Sequence, residues 1–279
     1  MDVGLREDMN KFDGYLLLKF TTKKKFQRDF LNGKIFFNTA DFFAQCDDEG
    51  RGDADEGNTF IIDYKNPELK AANLEKVGDS YAIVVRDYSG NPEKYKEGTI
   101  WEYSAAINRN RKILSMYTMF VSIAHQTVEP ATAKMRDEFG KYGILITDRQ
   151  EFFRRIFEAV DQNAKYYDLQ MGFVSYMPKE QQIGLMDWSP FVKRDRFSYQ
   201  KEFRIAFVSD DEKAVKLDLG CSIRDIAVPI MADAVDKIHF SDGKLLYPNI
   251  WTQRLSAMKC FGKNLIQRIA LPFKCERRK

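Results

Sequence analysis

The stretch FVKRDRFSYQKEFRIAF, Phe191–Phe207, constrains the fold of this chain more than any other. A charged, turn-like lead-in runs into Tyr199, after which Phe203, Ile205 and Phe207 alternate with Glu202, Arg204 and Ala206. A period of two is the mark of a strand with one face in a core. Glu202 and Arg204 then share the opposite face as neighbours. That face has two readings: a solvated strand surface, or a carboxylate held by an adjacent guanidinium over a pocket.

Upstream, the order is strand, short helix, glycine turn, strand. Tyr15–Phe20 is a continuous apolar run, Phe26 and Phe30 repeat at helical spacing, Asn32-Gly33 stops the helix, and Lys34–Asn38 opens a second strand. Further strands are expected at Tyr81–Arg86, Thr99–Ile107, Ile113–Ser122, Tyr142–Thr147, Met171–Met177 and Val215–Leu219, with a strand and turn over 237–243. One helix is expected over Pro130–Phe139. Thr147 and Gln150 form a capping-box pattern before another, in which Phe152, Phe153, Ile156, Phe157 and Val160 make one apolar stripe. Arg149, Arg154 and Arg155 fall on its solvated sides. Ile223–Ala234 reads as a helix or turn broken at Pro229, and a helix near Thr252–Met258 and a strand at Leu265–Leu271 follow.

This uneven mixture lacks a GxGxxG after a strand, a GxxxxGK[ST] phosphate loop and a GxSxG elbow, which argues against a dinucleotide-binding domain, an NTPase and an α/β-hydrolase of those kinds. The expectation is a polar lead-in over residues 1–13 and a single α+β domain over 14–279. Its sheet should be bent, mixed or mostly antiparallel, with a few packed helices.

Charge is unevenly spread. The net value is only +3, but the segment from about 251 carries eight Lys/Arg against one acid, Glu276. Arg254, Lys259, Lys263, Arg277, Arg278 and Lys279 are therefore candidate phosphate contacts, beside the simpler reading of a charged surface. The most acidic part, Asp41–Gly57, holds seven acids, Arg51 and three glycines. No register fits a calcium loop: a start at Asp53 puts Asn58 where glycine belongs and Tyr64 where glutamate belongs, and a start at Asp47 puts Arg51 at a ligand position. The loop is either solvated or holds Arg51 among carboxylates, where its fork could meet an anion. The four cysteines form no CxxC pair, and neither histidine, His125 or His239, has a carboxylate or cysteine at ligand spacing, so no metal site is expected. Scattered cysteines, no long apolar run and a mixed-charge start lead to the expectation of a cytoplasmic protein without a membrane partner.

Two pieces resemble a broad group of microbial and phage proteins: the first is Leu17–Phe20, Phe26–Gly33, Ile35–Asn38 and the Arg-Gly-Asp-x-x-Glu-Gly element Arg51–Gly57, and the second is the Tyr-x-x-Glu-Phe-Arg strand Tyr199–Arg204. The same layout is similar to the divergent edge of the ADP-ribosyltransferase fold, whose members include toxins and nucleic-acid-modifying antiviral defence enzymes. The resemblance implies transfer of ADP-ribose from NAD to a macromolecular acceptor, protein or nucleic acid. It implies a catalytic role for Glu202 on the late strand and for Tyr117 on a middle strand, beside the nicotinamide. Cofactor contacts would come from Lys19, Thr21, Arg51, Ser115, Gln200 and Arg204. The chain departs from the better-known pattern in lacking an arginine or histidine on the first strand. Gln200 and Glu202 form Gln-x-Glu in place of Glu-x-Glu.

Two other function classes stay open. One is a nucleic-acid or protein-binding module acting through the basic C-terminal segment. The other is a structural or inhibitory protein, for which Glu202 would stand on an open convex surface.

Overall fold

The computed structural model describes residues 12–46, 52–53, 56, 60–63, 100–103, 110–177, 184–185 and 189–247. The expected strand Tyr81–Arg86, the expected elements at Thr252–Met258 and Leu265–Leu271, and most of the lead-in lie outside the described residues.

The chain begins with β1 (Gly14–Thr21), α1 (Lys24–Leu31), β2 (Lys34–Thr39) and a short α2 (Ala40–Ala44). The turn between α1 and β2 requires glycine. Gly33 has φ +78°, and a Cβ there would meet the Cys221 carbonyl oxygen at 1.9 Å. Next come β3 (Phe60–Asp63), β4 (Ile100–Tyr103), the long β5 (Lys112–Ser122), β6 (Thr127–Val128), α3 (Ala133–Phe139), β7 (Tyr142–Ile146) and α4 (Arg149–Asp161). The expected strand Met171–Met177 is two, β8 (Tyr166–Phe173) and β9 (Ser175–Met177), followed by β10 (Gly184–Leu185) and β11 (Val192–Arg194). The opening stretch of the sequence analysis divides here. A 3₁₀ helix over Asp195–Gln200 separates β11 from β12 (Glu202–Ser209). Then come β13 (Val215–Asp218), β14 (Ala227–Met231), a 3₁₀ helix at Ala232–Lys237, and the hairpin β15 (His239–Ser241) and β16 (Lys244–Leu246). Asp242 and Gly243, both at positive φ, make its two-residue turn.

The fold is α+β, built on a nine-stranded antiparallel sheet ordered β13-β2-β5-β1-β7-β14, with β12 between β5 and β8 and β6 on β5. β12 occupies one edge of β5 over Lys112–Phe207 to Tyr117–Glu202. On the other edge, β1 pairs with Tyr117–Val121 and β2 with only Lys112 and Ile113. Among the described residues, 114–116 thus have no strand partner on that edge. Beyond Leu18, β1 leaves β5 and follows β7, while the start of β2 follows β13. The sheet is split at this point.

Both faces are packed. Phe203, Ile205 and Phe207 of β12, Leu17 of β1 and Leu114 and Met116 of β5 join Phe152, Phe153, Ile156 and Val160 of the α4 stripe in one core, whereas Phe157, expected in the same stripe, is exposed. Leu16, Leu18 and Phe20 of β1, with Tyr117, Met119 and Val121 of β5, form the second core with Met135 of α3. Every residue of β12 is buried.

Three local readings are corrected. The cap of α4 is Asp148, whose side chain accepts from the Glu151 amide at 3.2 Å, one residue after the expected Thr147. Replacing Asp148 by alanine is expected to cost about 0.5–2 kcal/mol in a denaturant titration, and no loss would show the cap to be idle. Arg149 is buried, with its guanidinium 3.6 Å from the centre of the Tyr15 ring, and is not solvated. Pro229 lies within β14, which among the described strands pairs β7 alone as an edge strand, where a missing N–H is tolerated.

Candidate functional site

Cross-strand register puts Glu202 opposite Tyr117, Arg204 opposite Ser115 and Ala206 opposite Ile113, on one face of the β5–β12 pair. The face is not solvated: Glu202 is 6% exposed and Arg204 2%. Lys201 ends the 3₁₀ helix in the left-handed region at φ +41°, and its carbonyl accepts from the Thr118 amide at 2.8 Å. This tight entry fixes where β12 starts. The Glu202 amide donates to the Tyr176 hydroxyl at 2.8 Å.

The carboxylate sits in a buried chain of charges. Glu202 Oε1 accepts from Lys193 Nζ at 2.8 Å, and Oε2 accepts from Arg204 Nε at 2.8 Å. Lys193 Nζ also donates to Gln200 Oε1 at 2.7 Å and lies 4.4 Å from the centre of the Phe197 ring. The outer fork of Arg204 donates to both oxygens of Glu56, at 2.9 and 2.8 Å, and Nη1 also reaches the Pro190 carbonyl at 2.6 Å. Burial alone would raise the Glu202 carboxyl, but Arg204 and Lys193 overcome it and hold it far below the usual carboxylate range. Burial raises the Glu56 carboxyl, with Asp53 adding to the rise and Arg204 opposing it. Its bidentate fork is the arrangement of an ionised carboxylate. Asp53 and Glu56 are 2% and 3% exposed, so this part of the acidic loop is not solvated.

A cavity of about 590 Å³ opens where the sheet splits. β1 lines it with Lys19 and Thr21, β5 with Ser115 and Tyr117, and β12 and its lead-in with Gln200, Glu202 and Arg204. Lys19 Nζ donates to the Ser115 carbonyl at 2.8 Å, across the edge left without a strand. Thr21 Oγ1 lies 3.4 Å from the Tyr142 carbonyl. Tyr117 is buried in the cavity wall; its hydroxyl lies by Thr132 and Glu129, without a hydrogen bond of good geometry, and burial raises its pKa, with Glu129 adding to the rise. Next to the site, the Tyr199 hydroxyl donates to Glu138 Oε2 at 2.6 Å and is pushed up to about 12, by burial first and by Glu138 second.

The sequence-predicted residues Lys19, Thr21, Ser115, Tyr117, Gln200, Glu202 and Arg204 therefore line one cavity. Arg51 lies outside the described residues, as do Arg254, Lys259, Lys263, Arg277, Arg278 and Lys279. Sequence reasoning missed Lys193 and Glu56. The charged lead-in to β12 and the Arg-Gly-Asp-x-x-Glu-Gly element were the signals for them, without the pairing. It also missed the cavity's other walls, which bring Lys25, Lys34 and Lys216 and the rings of Phe26, Phe36 and Phe42. Among the described residues, six cations and two carboxylates line the cavity, so their balance suits an anion, and its aromatic walls suit a flat ring. Among the described residues, no group of three or more His, Cys, Asp or Glu could hold a metal ion, and no helix is long and apolar enough to cross a membrane. No family model, curated protein or solved structure matches the chain.

Proposed function

We propose that the cavity binds NAD and that the protein transfers ADP-ribose to a macromolecular acceptor. The observation that carries this reading is the meeting of β1, β5 and β12 side chains around one cationic, aromatic cavity with Glu202 in its wall. NAD supplies an N-glycosidic bond; on its cleavage the bonding pair stays with nicotinamide, and the acceptor's lone pair forms the new bond as its proton leaves. The chain's part is electrostatic. Glu202 stays ionised at neutral pH, and each oxygen keeps a second lone pair with which to accept from a ribose hydroxyl. A fixed negative charge there favours positive charge developing on the sugar. Lys193 and Arg204 hold the carboxylate in place, and Lys19, on the β1 wall, offsets diphosphate charge. Release of nicotinamide from NAD, followed chromatographically, tests the reading. No release, with or without candidate acceptors, would contradict it.

A second reading has its own support. Both Glu202 oxygens are already bonded to cations, the geometry of a structural ion-pair network. In that case the cavity binds a nucleotide without transferring anything. NAD would then bind without turnover.

A further inference from the structure

Phe26, Phe36 and Phe42 are 48%, 56% and 45% exposed, come from α1, β2 and α2, and all line the same cavity. A lone exposed phenylalanine needs no explanation, but three around one opening mark a binding surface. Phe36 stands on the outward face of β2 in a row with Lys34 and Asn38, directly across from Lys216 of β13. Lys25 joins from α1, and Lys23 Nζ lies 5.9 Å from the centre of the Phe26 ring. Besides Glu202, the only carboxylate among the described lining residues is Asp29, 3.3 Å from Lys216.

We infer that this rim is a docking surface for single-stranded nucleic acid. Bases stack on Phe26, Phe36 and Phe42, and phosphates meet Lys25, Lys34 and Lys216. Open rings interleaved with lysines are the pattern of sequence-tolerant single-strand binding, because every base has a π-face to offer. A duplex keeps those faces stacked inside, and lysine is depleted at protein–protein contacts. Naming the strand as the acceptor of ADP-ribose rests on the transferase reading; the docking surface does not.

The test is fluorescence anisotropy of a labelled oligo(dT) of about 12 nucleotides, within the span of a single-strand groove, with the full chain at low salt and no NAD. Saturable binding is expected. Phe36→Ala should weaken it by about 5- to 100-fold, the scale of one lost base–aromatic stack. Lys34→Glu should weaken it and flatten its salt dependence. Both side chains are exposed, and unchanged thermal melting would show that the variants fold. The inference is overturned if both variants bind as the wild type does, or if a blunt duplex binds as tightly. It is also overturned if charge reversal at Arg277, Arg278 and Lys279 alone abolishes binding, or if poly-glutamate competes better than unlabelled oligo(dT). NAD binding without oligonucleotide binding would remove this inference and leave the transferase reading. Oligonucleotide binding without NAD binding would do the reverse.

Discussion

Arg204→Ala should destabilise the protein by about 3–5 kcal/mol, the cost of breaking a buried ion pair from one side. The guanidinium is 2% exposed and serves two carboxylates at once, so its loss leaves Glu56 without this partner and Glu202 with Lys193 alone. The pH dependence follows from the same contacts. The Glu202 carboxyl is depressed in the folded state, so its contribution is complete above the unfolded value of about 4.5. It is lost only as pH falls through the lower folded value. Removing Arg204 raises that folded value, and the midpoint of acid unfolding should move to higher pH. Urea titrations at neutral pH and an acid titration followed by circular dichroism measure both effects. A loss below about 1 kcal/mol, the range of an exposed pair, would show that the network is not buried in solution.

Glu202→Gln should lower nicotinamide release by about 10²–10⁴-fold, the usual scale for a lost transition-state charge or acid–base role. Glutamine keeps the shape and an acceptor oxygen, so the change removes charge with little packing cost. It also leaves Lys193 without its carboxylate and Arg204 with Glu56 in place of two carboxylates, and some loss of stability should accompany the loss of rate. The two are separated by assaying well below the melting temperature and comparing with Gln200→Ala. That variant removes one partner of Lys193 but leaves the carboxylate. Equal rates in wild type and Glu202→Gln would assign Glu202 to structure alone.

The parts of this account legible in the sequence were those with a local period. Alternation in Phe203–Phe207 identified β12 and divided its residues correctly between two faces, and the stripe of α4 identified the helix that covers one of them. What alternation could not supply was the environment of the polar face. The partners of that face are Lys193, nine positions before Glu202, and Glu56, which meets Arg204 from 148 positions away. Pairings at that separation depend on topology, and no local pattern encodes them. The split in the sheet is of the same kind, since it comes from two strands sharing one edge of β5. The smaller corrections have local causes. The capping box at Thr147 lies one residue early, because the Asp148 side chain takes the cap position. Pro229 reads as a breaker wherever it stands, yet an edge strand accepts it. Arg149 is on the polar side of its helix by periodicity, but the first turn lies over the Tyr15 ring.

Isothermal titration with NAD tests the central claim most directly, because it asks about the cavity before any acceptor is known. The wild type should give saturable heat with a Kd between about 1 μM and 1 mM, the range in which enzymes meet their substrates. Glu202→Gln should bind within about tenfold of that, since the carboxylate acts mainly on the charge that develops during cleavage. No saturable heat with NAD, NADH or NADP would contradict the claim that the split in the sheet is a dinucleotide site.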